Sequence, residues 1–125
     1  MALPLFLTGQ SNFDIQIDTF SIPGLPGLHS FAYARHAGKW LLIGGRRDGM
    51  HLKFNAFPNS TANGKIIVVD PETLQTWESP LTELPDTLQE QLRSTNMEFF
   101  QEDETLYFVG GYGRSETAQN HITYP

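Results

Sequence analysis

Two stretches of the chain carry the same pattern of apolar and polar positions. Trp40-Leu41-Leu42-Ile43 runs into Gly44-Gly45, and Leu106-Tyr107-Phe108-Val109 runs into Gly110-Gly111. From residue 44 to residue 110 the offset is 66, and at that offset Phe31 corresponds to Met97 and Tyr33 to Phe99. Four apolar residues, rich in aromatic and branched side chains and closed by glycine, predict a buried β-strand. Paired glycines after such a strand permit positive φ, or a close backbone approach that a Cβ would block. Two such runs with matching flanks predict an internal repeat.

The rest of the pattern fills in around these runs. Phe13 to Asp18 alternates apolar and polar residues, which predicts a half-buried strand. Pro23, Gly24, Pro26 and Gly27 make a rigid connector. Ser30–His36 and Lys39–Gly44 form a hairpin turning at Ala37-Gly38. Residues 46–64 are a polar connection of 19 residues, a length expected of a functional or mobile loop, ending in the turn signal Asn63-Gly64. Ile66–Val69 is a β-branched run expected to be buried on both faces. Asp70-Pro71 closes it, and Leu74–Glu78 predicts an outer strand. Residues 80–92 hold Pro80 and Pro85 and leave room for one helical turn with Asp86 as its cap. Ser94–Gln101 and Thr105–Val109 repeat the first hairpin around a Glu102-Asp103-Glu104 tip, and His121–Tyr124 predicts the start of another third strand.

A strand ending in Gly-Gly, a strand ending in Asp70, a short turn at Pro71-Glu72-Thr73, and Trp77 seven residues after Asp70 together resemble the kelch repeat. The resemblance runs from about Phe20 to Tyr124, with a spacing longer than the roughly 50 residues usual for such units. It implies an all-β fold of kelch-type β-propeller blades, each a four-stranded antiparallel sheet. It divides the chain into an N-terminal segment 1–27 carrying the outer strand of a preceding blade, a first blade over 28–83 and a second, truncated blade over 84–125. A propeller closes with about 4–8 blades, and repeat proteins generally need three or more units. The chain therefore reads as an incomplete propeller, with further blades of the same protein as its expected neighbours. A small self-contained antiparallel sandwich is the competing architecture.

Composition narrows the function classes. A net charge of −6 and a pI near 5 make nucleic acid an unsuitable partner. The absence of cysteine excludes disulfides, cysteine-based zinc sites and thiol nucleophiles. No apolar run approaches the roughly 20 residues of a membrane helix. Met1–Leu7 lacks the basic region and cleavage site of a signal peptide, which leaves two readings, an unusual N-terminus or, the one favoured, a piece of a longer protein. No residue favours one compartment over another.

In kelch propellers the segments after the double glycines emerge around the channel mouth, where partners bind. The resemblance thus nominates Arg46, Arg47, Asp48, His51, Tyr112 and Arg114 as binding residues. Arginine and tyrosine suit that role through planar hydrogen bonding and large contact area. The competing role for Arg46 is an ion pair with a carboxylate of its own blade. Gly44, Gly45, Gly110, Gly111, Asp70 and Trp77 are expected to be structural: Asp70 accepting backbone hydrogen bonds in the turn that follows it, Trp77 anchoring the packing between blades. The histidines lack zinc-protease spacing, and the run from Gly44 to Gly49 lacks the Lys-Ser/Thr ending of a phosphate loop. No catalytic residue, metal or cofactor is assigned. Asn59-Ser60-Thr61 fits the N-glycosylation pattern. The reading is a protein-binding module. Its alternative is part of a propeller enzyme acting on carbohydrate, mutarotase-like or galactose-oxidase-like, with Arg46, His51 and Arg114 contributing polar groups.

Overall fold

The two strands that run into the double glycines are the second strands of two antiparallel sheets. The computed structural model describes residues 14–49 and 58–125. Its first sheet has four strands in sequence order, β1 (Ala32–His36), β2 (Lys39–Ile43), β3 (Lys65–Asp70) and β4 (Gln75–Pro80). The second has three, β5 (Thr95–Glu102), β6 (Thr105–Ser115) and β7 (Asn120–Thr123). A short helix, α1 (Asp86–Leu92), lies between the sheets in sequence. The described chain is mostly β with antiparallel pairing throughout, as the apolar runs closed by glycine and the β-branched run predict.

The repeat is present in the backbone and not only in the residue types. Ala32 pairs with Ile43, Tyr33 with Leu42, Ala34 with Leu41 and Arg35 with Trp40. Sixty-six residues on, Glu98 pairs with Val109, Phe99 with Phe108, Phe100 with Tyr107 and Gln101 with Leu106, so the register is conserved between hairpins. Positive φ recurs at the same offset: Ser30 (55°) and Asn96 (57°), Ala37 (47°) and Asp103 (51°), Gly44 (68°) and Gly110 (74°), Gly45 (81°) and Gly111 (107°). Positive φ is rare for residues with a side chain, so the recurrence of Ser30 at Asn96 and of Ala37 at Asp103 is a specific mark of one chain path used twice.

Apolar burial follows from strand alternation. Leu42, Ile67 and Val69 point to one face of the first sheet, where Ile22, Leu25, Leu28 and Phe31 of the connector cover them. Ala32 and Ile43 point to the other face and meet Met97, Leu92 and Phe108 of the second unit, with Leu41 and Ile66 alongside. Ile67 and Val69 are fully buried, each stabilising the fold by about 1.5–3 kcal/mol through area removed from water. The inter-sheet layer thus uses Ile66, while Ile67 and Val69 serve the layer under the connector.

Several expectations are corrected. Asp14–Asp18 forms no strand and its Ile15 and Ile17 stand exposed, because no described strand lies beside the segment to pair with it. The single helical turn is a helix of 7 residues whose cap is Pro85, with Asp86 its first helical residue. Trp77 does not pack between the two described sheets: it is exposed on β4, with the Lys39 ammonium 6.0 Å from its ring centroid. β6 does not end at its glycines but bends there and continues to Ser115, so Tyr112 and Arg114 are strand residues. β7 is not a second β3. It pairs with Tyr112–Ser115 beyond the glycines, as Ala62 bridges Arg46 in the first unit. Leu106–Phe108, equivalent to the Trp40–Leu42 segment that β3 pairs, has no strand on that edge among the described residues. The expectation of a functional or mobile loop at 46–64 concerns in part residues 50–57, which lie outside the described residues.

Candidate functional site

The site is built around Ser94, which lies between the two double glycines. The Gly45 N–H donates to the Ser94 carbonyl at 2.9 Å. A Cβ on Gly44 would stand 2.6 Å from that carbonyl oxygen, and one on Gly111 would stand 2.1 Å from Ser94 Oγ. Both glycines also hold positive φ, so space and conformation each demand the missing side chain. The paired glycines therefore let the two units close on each other at this point.

Beyond Gly45 the chain turns outward, and Arg46 is folded back into the protein. Its Nε donates to Asp48 Oδ1 at 2.8 Å and its Nη2 to Asp48 Oδ2 at 2.6 Å, a bidentate pair. Nη2 also donates to the Thr61 hydroxyl. Only 5% of Arg46 is exposed. The hydrogen bond from Arg46 is the chief cause holding the Asp48 carboxyl below the ordinary carboxylate range, against the opposing effect of burial. His29 Nε2 lies 3.7 Å from Asp48 Oδ1. Arg46 and Asp48 are thus a brace for the 46–63 connection, the competing role named for Arg46 from sequence. Asn63 completes the brace, donating from Nδ2 to the carbonyls of Gly44 and Lys65 and accepting from the Lys65 N–H.

Arg47, one residue on, is exposed, and its guanidinium donates to the Ser60 carbonyl at 3.1 Å. Tyr112 stacks on His121 with ring centroids 5.7 Å apart and planes 15° apart. Arg114 Nε lies 3.8 Å from a Glu116 carboxylate oxygen, and the other unit reaches the same carboxylate through Asn59 Nδ2 at 2.6 Å. Among the nominated residues, Arg46, Tyr112 and Arg114 come together on one cleft between the units, with Arg93, Ser94 and Glu90. Arg47 lines a neighbouring open groove with Asn59, Ser60 and Lys65. His51 lies outside the described residues.

The cleft itself is narrow. Its interior volume is about 10 Å³, room for about one water molecule. The adjoining groove, about 490 Å³, is open to solvent and also touches Arg93. Arg93 and Glu90 are the residues that sequence reasoning missed. Arg93 occupies the repeat position of Gly27, so no periodic signal marks it; its Nε is buried without a hydrogen-bond partner among the described residues. Glu90 accepts from the Glu116 N–H at 2.9 Å, and the Tyr124 hydroxyl donates to it at 3.5 Å. The Ser115 hydroxyl is the largest cause lowering the Glu90 pKa, while burial first and Glu90 second push Tyr124 up to about 12. Outside the cleft, Asp70 Oδ1 accepts the N–H groups of Glu72 and Thr73 at 3.0 Å each, the Asx-type turn expected from sequence.

No protein-family model matches this chain, and comparisons with curated proteins and with solved structures return no significant match.

Proposed function

We propose that the chain is a pair of kelch-type β-propeller blades acting as a protein-binding module, with the face carrying the post-glycine residues as its contact surface. The supporting observation is convergence: Arg46 and Tyr112, equivalent positions of two units, line one cleft with Arg93 and Arg114. The cleft is too tight for a sugar ring, which favours a partner that reads the surface over a substrate that enters it. Arg47, Arg93, Tyr112 and Arg114 give that surface cationic and aromatic character on a protein of net charge −6, so its partner carries an acidic patch. Tyrosine and arginine at the centre of a contact are the residues best able to carry its energy.

The test is capture of a partner from the source cell by the full chain, compared with an Arg47→Ala/Arg114→Ala variant and with Glu72→Ala in the remote β3–β4 turn. Loss of one discrete partner in the arginine variant alone supports the reading. Equal capture by all three, or none by any, contradicts it. The open groove beside Arg47 is polar enough for carbohydrate, which keeps the sugar-enzyme alternative concrete. Anomerisation of a sugar substrate, abolished by Arg114→Ala, would replace the binding reading.

A further inference from the structure

We propose that the open groove beside Arg47 is an oxyanion site, in which Arg47 and Arg93 hold the carboxylate or phosphate group of a small ligand. The site goes beyond the protein-binding reading and does not depend on it. The ligand chemistry follows from a charge balance that the residues around the groove do not close among themselves.

Arg93 is half-buried directly after α1. Its backbone is fixed from both sides. Leu92 packs into the layer between the sheets, and the Ser94 carbonyl accepts the Gly45 N–H. The Arg93 N–H itself donates to the Gln89 carbonyl at 3.0 Å. Its guanidinium pairs with no carboxylate among the described residues. Its Nε is buried without a hydrogen-bond partner among them. Buried polar groups in folded proteins are paired with protein, water or an ion, and a partly desolvated cation gains most from an anion.

The carboxylates nearest in space are engaged elsewhere. Asp86, Glu90 and Glu116 share an adjoining surface groove with Arg93. Asp86 accepts from Gln89 Nε2 at 3.2 Å. Glu90 accepts from the Glu116 N–H and the Tyr124 hydroxyl. Glu116 accepts from Asn59 Nδ2 and faces Arg114.

Arg47 brings the second cation. Its N–H donates to the Thr61 carbonyl at 2.9 Å and its guanidinium to the Ser60 carbonyl at 3.1 Å. It too pairs with no carboxylate among the described residues. Arg47 and Arg93 line one groove of about 490 Å³, within the range of about 300–1,000 Å³ of small-molecule sites. The other charged residues of that groove, Lys65 and Glu78, pair with each other. Two guanidinium charges are therefore left over. Residues 1–13 and 50–57, outside the described residues, hold neither Asp nor Glu, and the ionisable side chains they add are His51 and Lys53. Those stretches can only add to the positive charge. A planar guanidinium matches a carboxylate or phosphate through two parallel N–H donors. Asn59 and Ser60 give the groove a polar wall for the rest of the ligand.

Sodium acetate and sodium phosphate, titrated separately into the full chain at constant ionic strength against sodium chloride, test the site. The readout is the arginine Nε–H signals in proton–nitrogen correlation spectra, assigned with Arg47→Gln and Arg93→Gln. The expected result is a saturable shift of the Arg47 and Arg93 signals with one or both oxyanions. The Arg35 signal stays still, since that guanidinium rests over Tyr33 and Trp40, outside the groove. Binding read from the Arg47 signal is ~10-fold weaker in Arg93→Gln. Should Arg93→Gln not fold, Arg47→Gln, at an exposed position, gives the same comparison from the Arg93 signal. The tighter probe identifies the source of the oxyanion, acetate a carboxylic acid and phosphate a phosphate ester. A linear response shared by Arg35 is screening alone and overturns the proposal. So does an Arg93 signal that stays still while Arg47 moves, or a response in Arg93→Gln as strong as in the unmodified chain. None of these outcomes depends on capture of a protein partner, so the two readings fail separately.

Discussion

The rings of Tyr33 and Phe99, equivalent positions of two units, meet with centroids 5.1 Å apart and planes at 64°. The same relation holds between Arg35 and Gln101, and between Ser30 and Asn96, whose N–H donates to the Ser30 carbonyl at 3.1 Å. Residues that correspond in the repeat are therefore residues in contact. Stacked repeats behave this way because each unit presents the same surface to the next. An edge-to-face aromatic pair contributes about 0.5–1.5 kcal/mol beyond area burial. A double-mutant cycle of Tyr33→Ala and Phe99→Ala, followed by urea denaturation, should give a coupling in that range, about 1 kcal/mol.

The glycines should differ in their tolerance of alanine. Gly111→Ala brings a Cβ to 2.1 Å from Ser94 Oγ, whereas the nearest atom to a Cβ on Gly110 is 3.9 Å away. Both residues hold positive φ, so both variants incur the left-handed strain of about 1–2 kcal/mol. Gly111→Ala adds overpacking, typically about 1–3 kcal/mol. Equilibrium unfolding should therefore rank Gly111→Ala below Gly110→Ala in stability.

Arg46→Lys should destabilise the protein nearly as much as Arg46→Ala. A lysine cannot reproduce the bidentate pair to Asp48 and the third bond to Thr61. Breaking a buried pair leaves the other charge uncompensated, a loss of about 3–5 kcal/mol at full burial and less here, because Asp48 is in part accessible. Thermal unfolding of both variants checks this, and the same measurement on Arg47→Ala should show little change.

Acid should weaken the fold through Asp48 and Glu90. Both carboxyls have folded pKa values below their ordinary ones. The unfolded chain therefore binds more protons near pH 4, and stability present above the unfolded values is lost as pH falls through the folded ones. Tyr124 acts at the other extreme. Its folded value, raised to about 12 from 10.0, makes stability fall as pH rises between the two. Urea denaturation as a function of pH should show both slopes, and Glu90→Gln should flatten the acid limb.

Much of this fold was legible in the sequence, and the failures have physical causes. The hairpins, the offset of 66 and the Asp70 turn follow from local signals: apolar runs, glycine placement and a short carboxylate beside free N–H groups. Glycine marks a positive φ, but the same φ serves a turn or a bend within a strand. The stretch after Gly111 accordingly reads as a loop although β6 continues through it. Period-two alternation at Phe13–Asp18 describes a strand only if a neighbour exists to pair with, and pairing is a tertiary fact. Trp77 shows the same gap, since spacing gives its place on β4 but not what faces that strand. In the candidate site, Arg46 and Tyr112 were found through the repeat. Arg93 and Glu90 were not, because they lie on and just after α1, where the two units differ in structure.

The most direct measurement of the stacked-repeat account uses the chain's lack of cysteine. Tyr33→Cys/Phe99→Cys places thiols at equivalent positions that face each other, and Tyr33→Cys/Phe100→Cys moves one thiol to the opposite face of β5. With a short thiol-to-thiol cross-linker that spans the room left by the two contacting rings, the account predicts an intramolecular cross-link in the first variant and none in the second. A cross-link in Tyr33→Cys/Phe100→Cys alone, or in neither variant while both fold, would contradict it.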